Sequence, residues 1–127
     1  MTVISVSMNK KILSEIDRVR DELGYSGRSE VLRAGARMLI EDGREKAKLS
    51  GRINSVLLLM HGPRAEDAIS EIKHRFEDIT KTQLHSHLGG EKCLELFILQ
   101  GDSRRIKEML RAFQASRKVD YLKLIVA

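Results

Sequence analysis

The sequence predicts an α+β chain built from two small folding units. An N-terminal strand–helix–helix unit spans residues 1–45, and a C-terminal βαββαβ unit spans residues 53–127, with residues 46–52 as linker. Three observations carry this. A short alternating stretch, Val3-Ile4-Ser5-Val6-Ser7-Met8, precedes two helix-period segments. A polar run, Asp42 to Gly51, breaks the pattern. Beyond it the periodicity switches between two and 3.6 residues in the order strand, helix, strand, strand, helix, strand.

In the first unit Ile4, Val6 and Met8 fall on one strand face, with Val3, Ser5 and Ser7 on the other. Asn9 is placed to cap a helix in which Ile12, Ile16, Val19 and Leu23 form a single apolar stripe. Gly24 ends that helix, and Ser26 or Gly27 opens a second one bearing Val31, Leu32, Gly35, Met38 and Leu39. A lone strand has two bare edges, and so small a unit buries too little surface to stand alone. The economical solution pairs the strand with its copy from a second chain, giving a two-stranded antiparallel ribbon. Such a ribbon turns Val3, Ser5 and Ser7 outward, a shape that enters a DNA major groove. Arg28 and Ser29 open the second helix, where free N–H groups and the positive dipole end favour a phosphate. The unit therefore reads as a ribbon-helix-helix DNA-binding module.

In the second unit Ile53–Met60 reads as a strand and Gly62-Pro63 as a turn. The following helix carries Ala65, Ile69, Ile72 and Phe76 on one stripe. Thr82–Leu88 and Cys93–Leu99 form a hairpin around Gly89-Gly90-Glu91-Lys92. Gly101-Asp102 starts a helix with Ile106, Met109, Leu110 and Phe113 inward, and Val119–Val126 is the closing strand. This is the split βαβ, or ferredoxin-like, order.

The chain has 42% hydrophobic and 32% charged residues, a composition that suits a folded protein. Its net charge of +5 permits a polyanionic partner without demanding one. The single cysteine excludes an internal disulfide framework and fits a reducing compartment. Val56–Met60, the longest strongly apolar run, is too short to cross a membrane, and Lys10 and Lys11 precede any long apolar stretch. A cytoplasmic protein is expected.

Three of the four histidines and the cysteine lie close together: His74, His85, His87 and Cys93. His85 and His87, two apart on a strand, share a face. A tip at Gly90 and Glu91 sets His87 opposite Cys93 and His85 opposite Glu95, about 4.5–5.5 Å apart at Cβ. Two imidazoles and a thiolate can then reach one ion, with Glu95 placed to accept a proton from a ligating imidazole. His74 lies about 200° round its helix from both Ile72 and Phe76, so it faces away from the apolar stripe. It is solvated or it serves a metal held by a neighbouring subunit. His61 has no evident partner and reads as a loop residue. Three nitrogens and a thiolate suit tetrahedral zinc or planar nickel(II) or copper(II), and spacing does not choose among them. No cluster suggests an oxyanion hole, so an enzyme is not expected.

The chain resembles the nickel-responsive transcriptional regulators of the NikR family over nearly its whole length. The resemblance rests on Gly24-Tyr25, Arg28-Ser29-Glu30 and Arg33, then His74, Leu84-His85-Ser86-His87, Cys93-Leu94-Glu95 and Gly101-Asp102. It implies a homotetramer, a dimer of dimers, in which ribbon-helix-helix modules flank ACT-like domains. It also implies one Ni²⁺ per subunit in a planar site, held by His85, His87 and Cys93 of one chain and His74 of another. The expected partner is double-stranded operator DNA, and the expected outcome is repression of nickel-uptake or other metal-homeostasis genes. The alternatives are an ACT-domain sensor of a small molecule and a regulator responding to another transition metal. This chain departs from the family pattern at Val3, where many relatives carry arginine, and at Ala34, where some carry a cation-binding aspartate. Leu58 and Met60 stand where tyrosines are common, and the span from His61 to His74 is one residue short.

Overall fold

The computed structural model describes residues 1–127, which form two compact units, Met1–Lys48 and Leu49–Ala127. In the first, α1 (Lys10–Leu23) is capped at its start by Asn9, whose side chain accepts from the Ile12 N–H at 2.9 Å. Gly24 ends it in the left-handed region, φ +78°, and its N–H returns to the Arg20 carbonyl. Helix α2 (Arg28–Ala47) runs further than expected, through most of the polar run Asp42 to Gly51 and into the first two residues of the linker, 46 and 47. The reason is local: Glu45, Lys46 and Ala47 are good helix formers, and Lys46 pairs with Asp42 one turn back at 2.7 Å.

Residues 1–9 form no strand within the single chain. A strand needs a partner for its backbone groups, and this unit supplies none. No residue of Met1–Lys48 is buried, although Ile4, Val6, Ile12, Leu23, Met38 and Leu39 are large and apolar. The unit has amphipathic helices and no core of its own.

The second unit is complete. Strands β1 (Arg52–His61), β2 (Thr80–Leu88), β3 (Lys92–Asp102) and β4 (Val119–Val126) form one antiparallel sheet in the order β2-β3-β1-β4. Helix α3 (Glu66–Arg75) links β1 to β2, and α4 (Ser103–Ser116) links β3 to β4. This is the βαββαβ order expected from the periodicity. Pro63 opens a short 3₁₀ turn before α3, and the Asp102 side chain caps α4 by accepting from Arg104 N–H at 2.8 Å.

Alternate residues of the central strands, Leu57, Leu59, Phe97 and Leu99, pack against Ile69 and Ile72 of α3 and Ile106, Met109 and Phe113 of α4. The opposite sheet face is apolar and open, with Leu84, Leu88, Ile98, Tyr121 and Ile125 all exposed. Arg105 of α4 fastens the end of α3, donating to the Arg75 carbonyl at 2.6 Å and to Asp78 at 3.1 Å while lying over the Phe76 ring.

Gly101 is required by close approach: a Cβ there would stand 2.7 Å from Ile79 Cγ2. Gly101→Ala is expected to destabilise the domain by about 1–3 kcal/mol, as overpacking does, read as a lowered denaturant midpoint. An unchanged midpoint would contradict this packing.

Candidate metal centre

The hairpin between β2 and β3 turns through Gly89, Gly90 and Glu91, with Gly90 at φ +74° and Glu91 at φ +61°. Its register pairs His87 with Cys93 and His85 with Glu95, as the turn position predicts. Cys93 Sγ lies 3.5 Å from His87 Nδ1. Donors at about 2.0–2.3 Å from one ion stand about 3.3–3.8 Å apart in a tetrahedral set and about 2.8–3.3 Å apart as neighbours in a planar one, so this pair has tetrahedral spacing and needs only a small approach for a planar ion. The His85 and His87 ring centroids are 5.0 Å apart.

His85 Nε2 is buried with no hydrogen-bond partner. A buried ring nitrogen with nothing to bond is costly, and a metal ion is one partner that would satisfy it. Cys93 is buried, and burial pushes its thiol up, with the negative charges of Glu66 and Glu95 adding to the effect. A divalent cation would offset both causes. The donor chemistry and spacing therefore fit a transition-metal ion.

Glu95 is 1% exposed beneath this cluster. It accepts from His61 Nε2 at 2.6 Å, from Lys73 Nζ at 2.7 Å and from Gln83 Nε2 at 3.3 Å. Burial works to raise its carboxyl, but the Lys73 and His61 hydrogen bonds, with the charges of Lys73 and His85, outweigh burial and hold it below the usual range. His85 Nδ1 is 3.6 Å from Glu95 Oε1, an ion-pair distance rather than a hydrogen bond. Glu95 thus lies where expected, yet its short bonds go to His61 and Lys73.

His61 corrects the sequence reading. It is the last residue of β1, not a loop residue, and it is fully buried. It pairs across the sheet with Cys93, and its Nδ1 faces the Gly62 carbonyl at 2.8 Å. The alternation of β1 could have found it, since His61 has the same parity as Leu57 and Leu59.

His74 sits on the outer side of α3, its side chain 82% exposed and paired with Glu77 at 2.8 Å. Within one chain it belongs to neither group of convergent donors, which are His61, His85 and Cys93, and Glu66, His85 and His87. The outward direction agrees with its helical phase.

In the first unit Val3, Ser5 and Ser7 are exposed. Arg28 and Ser29 open α2, and Gly27 before them offers no side-chain cap, so first-turn N–H groups stay open to an anion. Arg28 is engaged with Asp17 through two bonds, at 2.9 and 3.0 Å.

Fold and site together define a class: a βαββαβ domain whose β2–β3 hairpin brings together histidine and cysteine side chains that fit a transition-metal ion. Residues 56–127 match the family described as the NikR C terminal nickel binding domain. A protein of Halobacterium salinarum, provisionally described as a nickel-responsive regulator, is 35% identical over 95% of this chain and 89% of its own length. One of Methanocaldococcus jannaschii with the same description is 34% identical over 99% of this chain and 92% of its own. The chain belongs to the NikR family, whose members are regulators and not enzymes. Among solved structures, an uncharacterized protein from Thermotoga maritima shares the fold at a TM-score of 0.55 and 14% identity, covering 60% of this chain and 98% of that one. The C-terminal domain of the MgtC protein from Mycobacterium tuberculosis does so at 0.51 and 8% identity, covering 63% and 93%. No helix is long and apolar enough to cross a membrane.

Proposed function

We propose that this protein is a cytoplasmic, nickel-responsive DNA-binding transcriptional regulator that represses nickel-uptake or other metal-homeostasis genes when Ni²⁺ is bound. The observation that carries the reading is the Cys93–His87 donor pair, 3.5 Å apart, beside His85, whose buried ring nitrogen has no partner. In this reading each subunit holds one Ni²⁺ through those three residues, and His74 of a neighbouring subunit supplies the fourth donor. Bound nickel supplies charge and a directional link between subunits. The chain's own residues place the donors, bury Cys93 among them and hold Glu95 beneath.

Two unpartnered apolar surfaces support an assembly. The first unit has no core, which favours a ribbon-helix-helix dimer, and the open sheet face of the second favours further association into a homotetramer. Val3, Ser5 and Ser7 of the paired ribbon then meet the major groove of double-stranded operator DNA, and Arg28 and Ser29 meet its phosphates. Nickel acts by population shift: it binds more tightly to the tetramer states that also bind operator, so each ligand raises the affinity of the other.

Selection from a random duplex pool tests this. Nickel-loaded protein should recover an inverted repeat that metal-free protein does not enrich. Equal recovery with and without nickel would contradict the proposal. Arg28→Ala should weaken binding across all sequences and reduce the salt slope by about one unit for each phosphate it no longer neutralises. Because its pair with Asp17 is exposed, stability should hardly change. A loss confined to one operator sequence would instead make Arg28 a base reader.

A further inference from the structure

We propose that Glu66 is a resident metal donor, completing a site within one chain that takes a divalent transition-metal ion without the neighbour's His74. The inference rests on the reading of His85, His87 and Cys93 as ligands. Glu66 is the first residue of α3, and its carboxylate converges with the His85 and His87 ring nitrogens, all within 4.8 Å of one another. Small side-chain rotations bring donors from that spacing onto one ion.

Two constellations compete for His85, and their hydrogen bonding separates them. His61 also converges with His85 and Cys93, but both its ring nitrogens are taken, by Glu95 at 2.6 Å and by the Gly62 carbonyl at 2.8 Å. Recruiting it would break a fully buried network. Glu66 is exposed and has no ion pair to give up. Position on the helix explains its reach: Glu66, Ile69 and Lys73 follow at i, i+3 and i+7, one stripe that turns toward the sheet. Ile69 enters the core, Lys73 reaches Glu95, and Glu66 reaches the outer imidazoles.

The chemistry of this set differs from that of three imidazoles and a thiolate. A carboxylate and a thiolate together balance the two charges of a divalent ion. An oxygen donor with two imidazoles and sulfur favours tetrahedral or higher-coordinate binding over a planar one. Glu66 and the neighbour's His74 are then alternative fourth donors. The first holds an ion on a single subunit, and the second holds it between subunits.

The test uses the full-length chain and Co²⁺ and Ni²⁺ as probes, with affinity and visible absorption as readouts. His74→Ala should still bind one ion per chain with the bands of a non-planar site. Adding Glu66→Gln to it should alter those bands and weaken binding at least about tenfold, the lower end of what losing even an outer-shell partner costs. Glu66 is exposed, and an unchanged melting curve would show that the fold is intact. Identical affinity and bands in the two proteins would overturn the role of Glu66, as would failure of His74→Ala to bind at all. Binding that survives unchanged in Cys93→Ala would overturn the hairpin site itself, which separates the two failures.

Discussion

Cys93→Ala is expected to abolish nickel-dependent DNA binding, leaving the affinity of metal-free protein for the same duplex unchanged. Cys93 is the only sulfur donor of the centre and sits opposite His87 at 3.5 Å. In the proposed centre its removal deletes the thiolate and leaves the hairpin itself with imidazole donors only. His87→Ala should act in the same direction, since it takes away the partner directly across the ladder. Anisotropy titration of a labelled operator duplex, with and without nickel, reads both variants. Linkage sets the scale: if nickel loading raises DNA affinity about a hundredfold, the coupling is about 2.7 kcal/mol, and all of it vanishes with the site. Variants that respond to nickel like the wild type would remove the hairpin from the mechanism. The cysteine is well buried, but alanine there loses little volume, so global unfolding is not the expected cause of the loss.

The second large effect falls on stability. Glu95→Ala should destabilise the C-terminal domain by about 3–5 kcal/mol, the range for removing one partner of a buried ion pair. Glu95 accepts from the fully buried His61 and from Lys73, and both are left facing an empty carboxylate position. Truncation also opens a void below His85. Chemical denaturation of metal-free protein isolates this effect from any contribution of the metal. Glu95→Gln should fall between, because it retains shape and one acceptor but loses the charge. A midpoint unchanged in Glu95→Ala would mean that the network contributes nothing to the fold.

Much of this centre is legible in the amino-acid sequence, and for identifiable reasons. A tight hairpin with Gly89, Gly90 and Glu91 at its turn determines which residues face each other, so His87 opposite Cys93 and His85 opposite Glu95 follow from counting. Helix phase likewise turns His74 outward, where it is found. The parity of His61 with Leu57 and Leu59 points it to the core, but Gly62-Pro63 signals a turn and masks that the strand runs one residue beyond Met60. Its pairing with Cys93 joins residues more than thirty apart, which no local pattern encodes. Lys73 and Glu66 are hidden differently. Both are charged residues on the stripe of Ile69, and a charge on an apolar stripe has meaning only once the sheet end beneath it is known. The N-terminal strand shows the converse case. Its alternation is clear, but a ribbon is a property of two chains, and one chain leaves residues 1–9 unpaired.

The relation between the two halves of the protein follows from what each lacks. The first unit has apolar stripes and no core, and the second has a full core and one open apolar face. In the proposed assembly both deficits are met by copies of the same chain. In that assembly the metal would be more than an ornament of one domain: His74, on an outward helix face, would serve as a donor only where another subunit comes near.

Nickel stoichiometry and the absorption spectrum of the loaded wild-type protein test the central claim most directly. One Ni²⁺ per chain is expected, with thiolate-to-nickel charge-transfer bands and the d–d bands of a planar four-coordinate ion. Substoichiometric nickel without a thiolate band, or a spectrum unchanged by Cys93→Ala, would contradict the claim.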